Sequence, residues 1–418
     1  IAGGAGEDTI NLTHATDASA EFGSMSAIQT FNLALASGAD VVVNGAFHAD
    51  VDDITVTGGN TTSTLTSGTL GGGVETLDAS AFQGNILATV ADDSLDTTVI
   101  FTGGDLATDK VLNTVATAAT TYALKSTGVE LLDLDINAAA ATTVSLAAAT
   151  GVTGVSVDMG ANVAAITTTI TNVTNEVITL KAADDNIADH TLAASLVSAV
   201  GTSDTIAFKI GAGTIDAGVK LKTDDIETVS INANAAATVD LSLLAMTTAG
   251  KTMALTVTGK TALTISALGA DVTSIDATGM AVGGSVVMTA RSSTDASTYT
   301  GSAGADTFFM NHKGDTITGG AGSDTLDINF AGILGGVAVD LTAADQVGTM
   351  DGATNTAIQT GFLNVDLNGF TGFGASVTGT SKANTITGTP GASIDSLNGG
   401  AGNDTFVYPL TLDLMSLG

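Results

Sequence analysis

The sequence predicts an all-β protein that winds into a parallel β-solenoid (a β-helix or β-roll) with few short helices. Short apolar pairs such as Val239/Leu241 and Leu255/Val257 recur along the chain, and turns containing Gly, Asn or Asp separate them. Regular short strands of this kind fit a sandwich, a barrel or a solenoid. Aromatic residues make up only 4% of the chain. We favour the solenoid because its narrow interior needs small side chains, whereas a sandwich of this size would carry more large aromatic residues.

The six clearest strands share one motif, in which an apolar residue opens the segment and apolar residues then alternate with Asp, Asn or Ser. In the segment from Val129, the side chains of Leu132, Leu134 and Ile136 are predicted to face the core, and the Asp residues between them to face outward. We interpret these Asp residues as a solvated outer face. The six segments are Ile28–Leu33, Val74–Ala79, Val129–Leu134, Ile226–Ile231, Val272–Ala277 and Phe362–Leu367.

One short helix is predicted near the middle of the chain. Asp189 would be its N-cap, Leu192, Leu196 and Val200 its apolar face, and Gly201 its end.

Five segments match a nine-residue glycine–aspartate repeat to different degrees. The consensus G-G-x-G-x-D-x-U-x, where U is apolar, is the repeat of calcium-binding β-rolls. Three segments match it in full: Gly3–Asn11, Gly319–Asp327 and Gly399–Val407. Gly301–Phe309 matches with one Gly replaced, and Met310–Thr318 keeps only the Asp and the apolar position.

The spacing of the central repeats predicts a metal site. Asp306, Asp315 and Asp324 follow one another at intervals of one nonapeptide, and two nonapeptides form one coil. Asp306 and Asp324 are therefore one coil apart. They should stack on the same edge and converge on one Ca²⁺, together with backbone carbonyls of both turns. Oxygen ligands of this kind are those that Ca²⁺ accepts.

The outer repeats are less regular. Asn384 and Asp404 are separated by slightly more than two nonapeptides because of an insertion, and we expect them to share an edge and hold a second Ca²⁺. The position two nonapeptides after Asp8 is Ser26, which is not an acidic residue. Either the partner turn of Asp8 lies upstream of this sequence or its site is half-built.

The repeats divide the chain into five segments. Residues 1–20 hold the first nonapeptide turn, 21–298 form a β-solenoid body and 299–330 a nonapeptide block. Residues 331–378 continue the solenoid, and 379–418 form the C-terminal nonapeptide block.

The composition excludes several classes of function. The chain of 418 residues has 43 Asp and Glu against 11 Lys and Arg, a formal net charge of −32. So few basic residues cannot build a surface for nucleic acid or for anionic lipid. The chain has no Cys, which rules out disulfides and thiol catalysis. The longest uncharged stretch, residues 136–157, has too few large apolar residues for a membrane span.

No enzyme is predicted. The four His residues (His14, His48, His190 and His312) are scattered, and neither a G-x-S-x-G motif nor a P-loop occurs. Four Asp doublets precede apolar runs, as turn residues do, and could alternatively bind further Ca²⁺: Asp52-Asp53, Asp92-Asp93, Asp184-Asp185 and Asp224-Asp225.

The nonapeptides resemble those of the repeat-in-toxin (RTX) proteins. The long Thr/Ala/Asp-rich stretch before the block at 301–327 is similar, more narrowly, to RTX-type S-layer proteins of Gram-negative bacteria. The resemblance implies that turn carbonyls join the acidic side chains as Ca²⁺ ligands. The implied set is Gly3, Gly4, Ala5, Gly6, Asp8, Gly301, Ala303, Gly304, Asp306, Asp315, Gly319, Gly320, Ala321, Gly322, Asp324, Asn384, Gly399, Gly400, Ala401, Gly402 and Asp404.

The resemblance also implies a function. We expect a structural, calcium-dependent, self-assembling surface-layer protein that is secreted by a type I system and folds on meeting external Ca²⁺. Its expected partners are copies of itself and a cell-surface polysaccharide. The secretion signal and the surface anchor are not evident, and the start at Ile1 is typical of an internal fragment or a processed product. The alternatives are an RTX adhesin or stalk segment, and the β-roll of a secreted protease or lipase.

Overall fold

The computed structural model describes residues 2–14, 18–21, 26–44, 51–70, 74–90, 100–104, 109–115, 121–137, 140–159, 165–183, 190–211, 213, 215, 218–292, 295–330, 335–390 and 394–409. All regular elements in these ranges are β-strands, and the fold is an all-β parallel β-solenoid. The chain divides into two compact units. The first comprises residues 1–199 and 206–216, and the second comprises residues 200–205 and 217–418.

Within its described residues, the first unit contains eighteen strands, the last of which has its first residue in the second unit. They are β1 Thr9–His14, β2 Ala18–Glu21, β3 Thr30–Leu35, β4 Val41–Asn44, β5 Asp53–Gly58, β6 Thr64–Leu70, β7 Thr76–Phe82, β8 Asn85–Val90, β9 Ile100–Thr102, β10 Lys110–Val115, β11 Thr121–Thr127, β12 Leu131–Ile136, β13 Thr142–Thr150, β14 Gly154–Asp158, β15 Thr167–Val173, β16 Val177–Ala182, β17 Thr191–Leu196 and β18 Thr205–Ile210.

Two parallel sheets run through this unit. Each odd-numbered strand from β1 to β17 pairs with the next odd-numbered strand. The even-numbered strands from β2 to β18 pair in the same way. One odd and one even strand thus make one coil. Thr30 pairs with Asp53 and Lys110 with Leu131, so the number of residues in a coil varies along the unit.

The part of the second unit that the structure describes contains twenty further strands. They are β19 Val219–Asp224, β20 Thr228–Ala233, β21 Ala237–Ala245, β22 Met253–Gly259, β23 Ala262–Leu268, β24 Val272–Met280, β25 Ser285–Met288, β26 Thr298–Thr300, β27 Thr307–Met310, β28 Thr316–Thr318, β29 Thr325–Ile328, β30 Val337–Asp340, β31 Val347–Met350, β32 Ala353–Thr354, β33 Gln359–Thr360, β34 Asn364–Asp366, β35 Ala375–Thr378, β36 Thr385–Thr387, β37 Ser396–Asn398 and β38 Thr405–Val407.

This unit is also a parallel solenoid, with one addition. The odd strands from β19 to β29, followed by β34, β36 and β38, form one parallel sheet. The even strands from β20 to β28, followed by β33, form another. A five-stranded sheet has the order β32-β31-β30-β35-β37, in which β30, β31 and β32 pair antiparallel. We expected residues 331–378 to continue the solenoid. They also contain the antiparallel strands β30, β31 and β32.

The predicted alternation is confirmed in β12. Leu132, Leu134 and Ile136 are each fully buried in the core. The outward-facing Asp133 is nevertheless only 4% exposed, because the ammonium groups of Lys110 and Lys181 contact its carboxylate. Two of the chain's few cations thus neutralise an acid that the alternation pattern placed in water.

The first residue of each strand motif lies inside the solenoid. The side chains concerned are all at most 4% exposed, and they are Ile28, Val74, Val129, Ile226, Val272 and Phe362. Five of them lie two residues before a strand begins, and Val272 is the first residue of β24. The motif therefore marks the point where the chain enters a strand.

The predicted helix is wrong. Thr191–Leu196 forms β17, which pairs in parallel with β15. Leu192 is buried as the helix would require, but Val200 is 85% exposed, so the helical periodicity does not correspond to one buried face. The hydrogen bonds offered by the neighbouring coil outweigh the local capping pattern. Asp189, the expected N-cap, lies outside the described residues.

Candidate metal centre

The turns at 301–306 and 319–324 lie directly one above the other. Thr307 pairs with Thr325 and Thr298 with Thr316, so both strands of the coil advance by two nonapeptides. The backbone N–H of Thr325 donates to the carbonyl of Asp306 at 2.8 Å, which ties the ends of the two turns together. The register expected from the sequence is therefore present.

Glycine is required where these turns touch. A Cβ on Gly301 would lie 1.9 Å from the carbonyl oxygen of Gly319. A Cβ on Gly322 would lie 2.1 Å from the carbonyl of Gly304, and Gly322 also has a φ of +139°. Backbone therefore packs on backbone, and carbonyl oxygens crowd the space next to the acidic side chains.

The Asp306 carboxylate is buried and fully hydrogen-bonded. Its Oδ1 accepts from the N–H of Val286 in the preceding coil at 2.6 Å. Its Oδ2 accepts from the N–H of Ser302 at 2.6 Å and from the Ser302 hydroxyl at 2.9 Å. Asp306 thus closes its own turn and fastens it to the previous coil.

Asp324 differs from Asp306 at one of its two carboxylate oxygens. Its Oδ1 accepts from the N–H of Asp306 at 2.8 Å, which is the same link between coils. Its Oδ2 is buried and has no hydrogen-bond partner among the described residues. Burial, opposed by the bond from Asp306 N–H and reinforced by the charge of Asp306, raises the pKa of Asp324 to about 6. An unpartnered carboxylate oxygen in a dry site is the kind of atom that a cation would satisfy.

Asp315, on the intervening turn, has a protein cation beside it. Its Oδ1 accepts from the N–H of Ser297 at 2.9 Å, and its Oδ2 from the N–H of His312 at 3.1 Å. The guanidinium of Arg291 also donates to Oδ1 at 2.9 Å, and both side chains are fully buried.

The C-terminal turns stack in the same way at a longer spacing. Thr385 pairs with Thr405, and the N–H of Asn384 donates to Asp404 Oδ1 at 3.0 Å. The Asn384 amide is already engaged, since its Oδ1 accepts from the N–H of Thr380 and its Nδ2 donates to the carbonyl of Leu363. Asn384 therefore takes the turn-closing role of Asp306.

The first turn has a partner within this sequence. Thr9 pairs with Thr30, so the coil that follows Asp8 stacks on it. The N–H of Asp8 donates to the Gln29 side chain at 2.9 Å, and Asp8 Oδ2 accepts from the N–H of Gly4 at 2.6 Å. The residue above Asp8 is thus an amide.

Sequence inspection missed a related turn at Gly103 and Asp109. Asp109 is 1% exposed, and its two oxygens accept from the N–H groups of Gly104 and Ile86, as those of Asp306 do from Ser302 and Val286. Burial raises its pKa. The signal is a Gly pair followed by Asp, but one residue longer than the consensus, which hides it from a fixed-length motif.

A second missed feature is the polar residue that follows the apolar opening of the strand motif. The side chains of Gln29, Glu130 and Glu227 each accept the N–H of an Asp one coil earlier, at 2.9, 3.1 and 3.0 Å. Those donors are Asp8, Asp109 and Asp204. The motif therefore encodes a link between coils as well as a strand.

Three further candidate residues accept hydrogen bonds from backbone N–H groups, as residues with a structural role do. His190 Nδ1 accepts from the N–H of Ile166, and His312 Nδ1 from that of Gly314. Asp225 of one doublet accepts from the N–H of Thr247, as a turn cap does. The doublets at 92–93 and 184–185, and His48, lie outside the described residues.

The residues around Asp324 fit Ca²⁺ only with help from the backbone. Nowhere in the described ranges do three or more His, Cys, Asp or Glu side chains converge as a metal cluster. Ca²⁺ takes roughly six to eight oxygens at about 2.3–2.6 Å, and carbonyls can supply most of them. The carbonyl oxygens of Gly319, Ser302 and Gly304 pack against the neighbouring turn and are the candidates to join Asp324 Oδ2. The metal role of the predicted ligands stays a prediction.

Comparisons with family models, curated proteins and solved structures found no match. Within the described residues, no helix is long and apolar enough to cross a membrane.

Proposed function

We propose that the chain is a structural protein of a bacterial surface layer whose folding and self-assembly depend on Ca²⁺. The observation that carries this proposal is the unpartnered, buried Oδ2 of Asp324 at a turn made of stacked backbone. A cation there satisfies the oxygen and offsets the repulsion between Asp306 and Asp324. The parallel solenoid supports a structural role, since it is a stack of repeating coils.

The cellular setting belongs to the same proposal. Millimolar Ca²⁺ outside the cell and low Ca²⁺ inside would let the chain cross a type I secretion system unfolded and fold at the surface of a Gram-negative bacterium. We further propose that the chain has no enzymatic activity, that identical copies form a lattice, and that the lattice attaches to cell-surface polysaccharide. These points rest on the resemblance of the nonapeptides.

The test combines calcium binding with imaging. We expect the purified chain to bind Ca²⁺ in equilibrium dialysis and to form ordered sheets in negative stain with Ca²⁺, but not in excess chelator. D324N should bind less Ca²⁺ and assemble poorly. D276N is the matched control, because the exposed Asp276 only caps Thr278 within β24 and should leave both results unchanged. Sheets that form equally well in chelator would contradict the proposal.

A groove on the five-stranded sheet favours an adhesin segment as the second candidate. The groove has a volume of about 680 Å³ and is lined by small residues such as Gly336 and Ala375 and by Phe373 and Ile394. Phe373 is 66% exposed and Ile394 93% exposed. Binding of a cell-surface glycan that F373A abolishes, by a chain that forms no sheets, would favour the adhesin.

A further inference from the structure

The only Arg of the chain is buried in a cage of oxygen atoms. Arg291 Nη1 donates to Asp315 Oδ1 and to the Tyr299 hydroxyl, both at 2.9 Å, and Nη2 donates to the carbonyl of Asp295. The guanidinium lies 5.8 Å from the centre of the Tyr299 ring, which itself stacks on Phe308. A carboxylate, a hydroxyl and a carbonyl around a positive charge form the kind of oxygen environment that suits Ca²⁺.

The Asp315 turn has the same hydrogen-bond frame as the Asp306 turn. In both, Oδ1 accepts an N–H from the preceding coil, and Oδ2 accepts an N–H within the turn. Asp315 has one addition, the Arg291 guanidinium, and neither of its oxygens is left without a partner. Asp324 lacks such a cation among the described residues and keeps a free Oδ2. The two turns therefore differ in whether the protein supplies the positive charge.

Lys251 repeats this arrangement elsewhere in the same unit. Its ammonium donates to Glu227 Oε1 at 2.6 Å and also to the backbone carbonyl of Gly201. Glu227 in turn accepts the N–H of Asp204 from the coil below. A cationic side chain thus bridges an acidic side chain and a turn carbonyl at a second coil edge.

We propose that Arg291 is a resident cation that takes the place of Ca²⁺ at the Asp315 turn, so that this turn is calcium-independent. The inference rests on the proposed function, because it divides the nonapeptide turns into those that need Ca²⁺ and one that does not. It also replaces the expectation that Asp315 is a calcium ligand. Arg291 is fixed by three acceptors and an aromatic ring, so its position does not depend on a dissolved ion.

The first test compares calcium stoichiometry in three chains. By equilibrium dialysis, D315N should bind the same number of Ca²⁺ ions as the wild-type chain, whereas D324N should bind one fewer. A loss of one Ca²⁺ in D315N would overturn the inference. A wild-type chain that binds no Ca²⁺ would refute the proposed function, and then the second test alone decides the inference.

The second test removes the resident cation. R291M leaves the buried Asp315 carboxylate without its cation, so we expect this variant to bind one more Ca²⁺ than the wild type and to lose order at 285–318 in chelator, as measured by hydrogen exchange. K313M is the matched control, because it removes an equal charge from an exposed position of the same turn and should do neither. Unchanged stoichiometry and exchange in R291M would overturn the inference. If R291M does not fold even in Ca²⁺, the D315N result decides.

Discussion

Asp306 and Asp324 occupy the same position of two nonapeptides but have different surroundings. Both accept an N–H from the coil below, and Asp306 also accepts from Ser302 in its own turn. Asp324 lacks a bond of this second kind among the described residues, and its Oδ2 is buried. In the absence of a cation, burial therefore makes the Asp324 carboxylate costly to ionise.

This difference predicts a pH dependence of stability in chelator. The pKa of Asp324 is about 6 in the folded state and about 3.9 in an unfolded chain. The folded state holds the proton to higher pH, so the free energy of unfolding should fall by about 2–3 kcal/mol as the pH rises from about 4 to 6. In urea titrations, the free energy of unfolding of the wild type should show this fall with pH, and that of D324N should not.

D324N keeps an Oδ1 that can accept the Asp306 N–H, so it is the conservative control for the loss of charge. Saturating Ca²⁺ should abolish the fall in the wild type, because the ion stabilises the ionised carboxylate. If the two chains show parallel stability profiles in chelator between pH 4 and 6, the assignment of this titration to Asp324 is wrong.

Asp327 and Asp366 predict a second, independent effect. They pair in register on β29 and β34, and burial together with the charge of Asp366 raises the pKa of Asp327 to about 7. D327N should therefore raise Tm by a few degrees at pH 8 and have less effect at pH 5, where Asp327 is protonated. D276N should instead lower Tm at pH 8, because hydrogen bonds from Thr278 stabilise the ionised Asp276 and lower its pKa. Calorimetry that shows no gain for D327N would contradict this.

At the scale of the elements, the turns are held by contacts that admit no side chain. The solenoid coil shortens to two nonapeptides around Thr307 and Thr325, and the backbones of successive turns then meet at Gly301 and Gly319. Other coils are longer, such as that between Lys110 and Leu131. A Cβ on Gly103 would likewise lie 1.8 Å from the carbonyl oxygen of Gly128 in a longer coil, so glycine at these positions follows from the stacking of the turns and not from the coil length.

Gly301→Ala tests this contact. A methyl group 1.9 Å from the carbonyl of Gly319 must push the turns apart, so we expect a loss of about 2–3 kcal/mol and weaker Ca²⁺ binding. Gly348→Ala is the control, since nothing lies within 4 Å of its Cβ and Ala in a strand is favoured by about 0.5–1 kcal/mol. Equal denaturation midpoints for the two variants would show that the turns are not tightly stacked.

At the scale of the whole molecule, a formal net charge of −32 opposes both compaction and assembly. Each bound Ca²⁺ adds two positive charges where carboxylates crowd. An ion that binds only the folded state at about 100 times its Kd stabilises it by about 2.7 kcal/mol. Monovalent salt screens the charge over roughly 10 Å at about 0.1 M but cannot act as a ligand.

We therefore expect NaCl and CaCl₂ to have different effects on the chain in chelator-treated solution. At equal ionic strength, CaCl₂ should increase strand content in circular dichroism and particle size in light scattering, while NaCl should change both only slightly. MgCl₂ is the matched divalent control, since Mg²⁺ demands a tighter octahedral site and gives up its water reluctantly. An equal response to NaCl would mean that screening alone drives the transition.

Much of the fold was predictable because it depends on local rules. The two-residue alternation placed Leu132, Leu134 and Ile136 in the core, and the small side chains favoured a solenoid over a sandwich. The nine-residue period set the register of Thr307 on Thr325. Strand period, side-chain volume and repeat length are properties of the sequence alone, so they can be predicted without knowing the tertiary contacts.

Only the tertiary structure decided which atoms meet between coils. The link from Asp109 to Glu130, the cage around Arg291 and the strand at Thr191–Leu196 all depend on contacts with a neighbouring coil. Outside the nonapeptides the coil length varies, so sequence spacing does not identify the residue above or below. The sequence therefore determined the alternation and the acidic turns, while stacking determined that Asp315 has an arginine and Asp324 has a free oxygen.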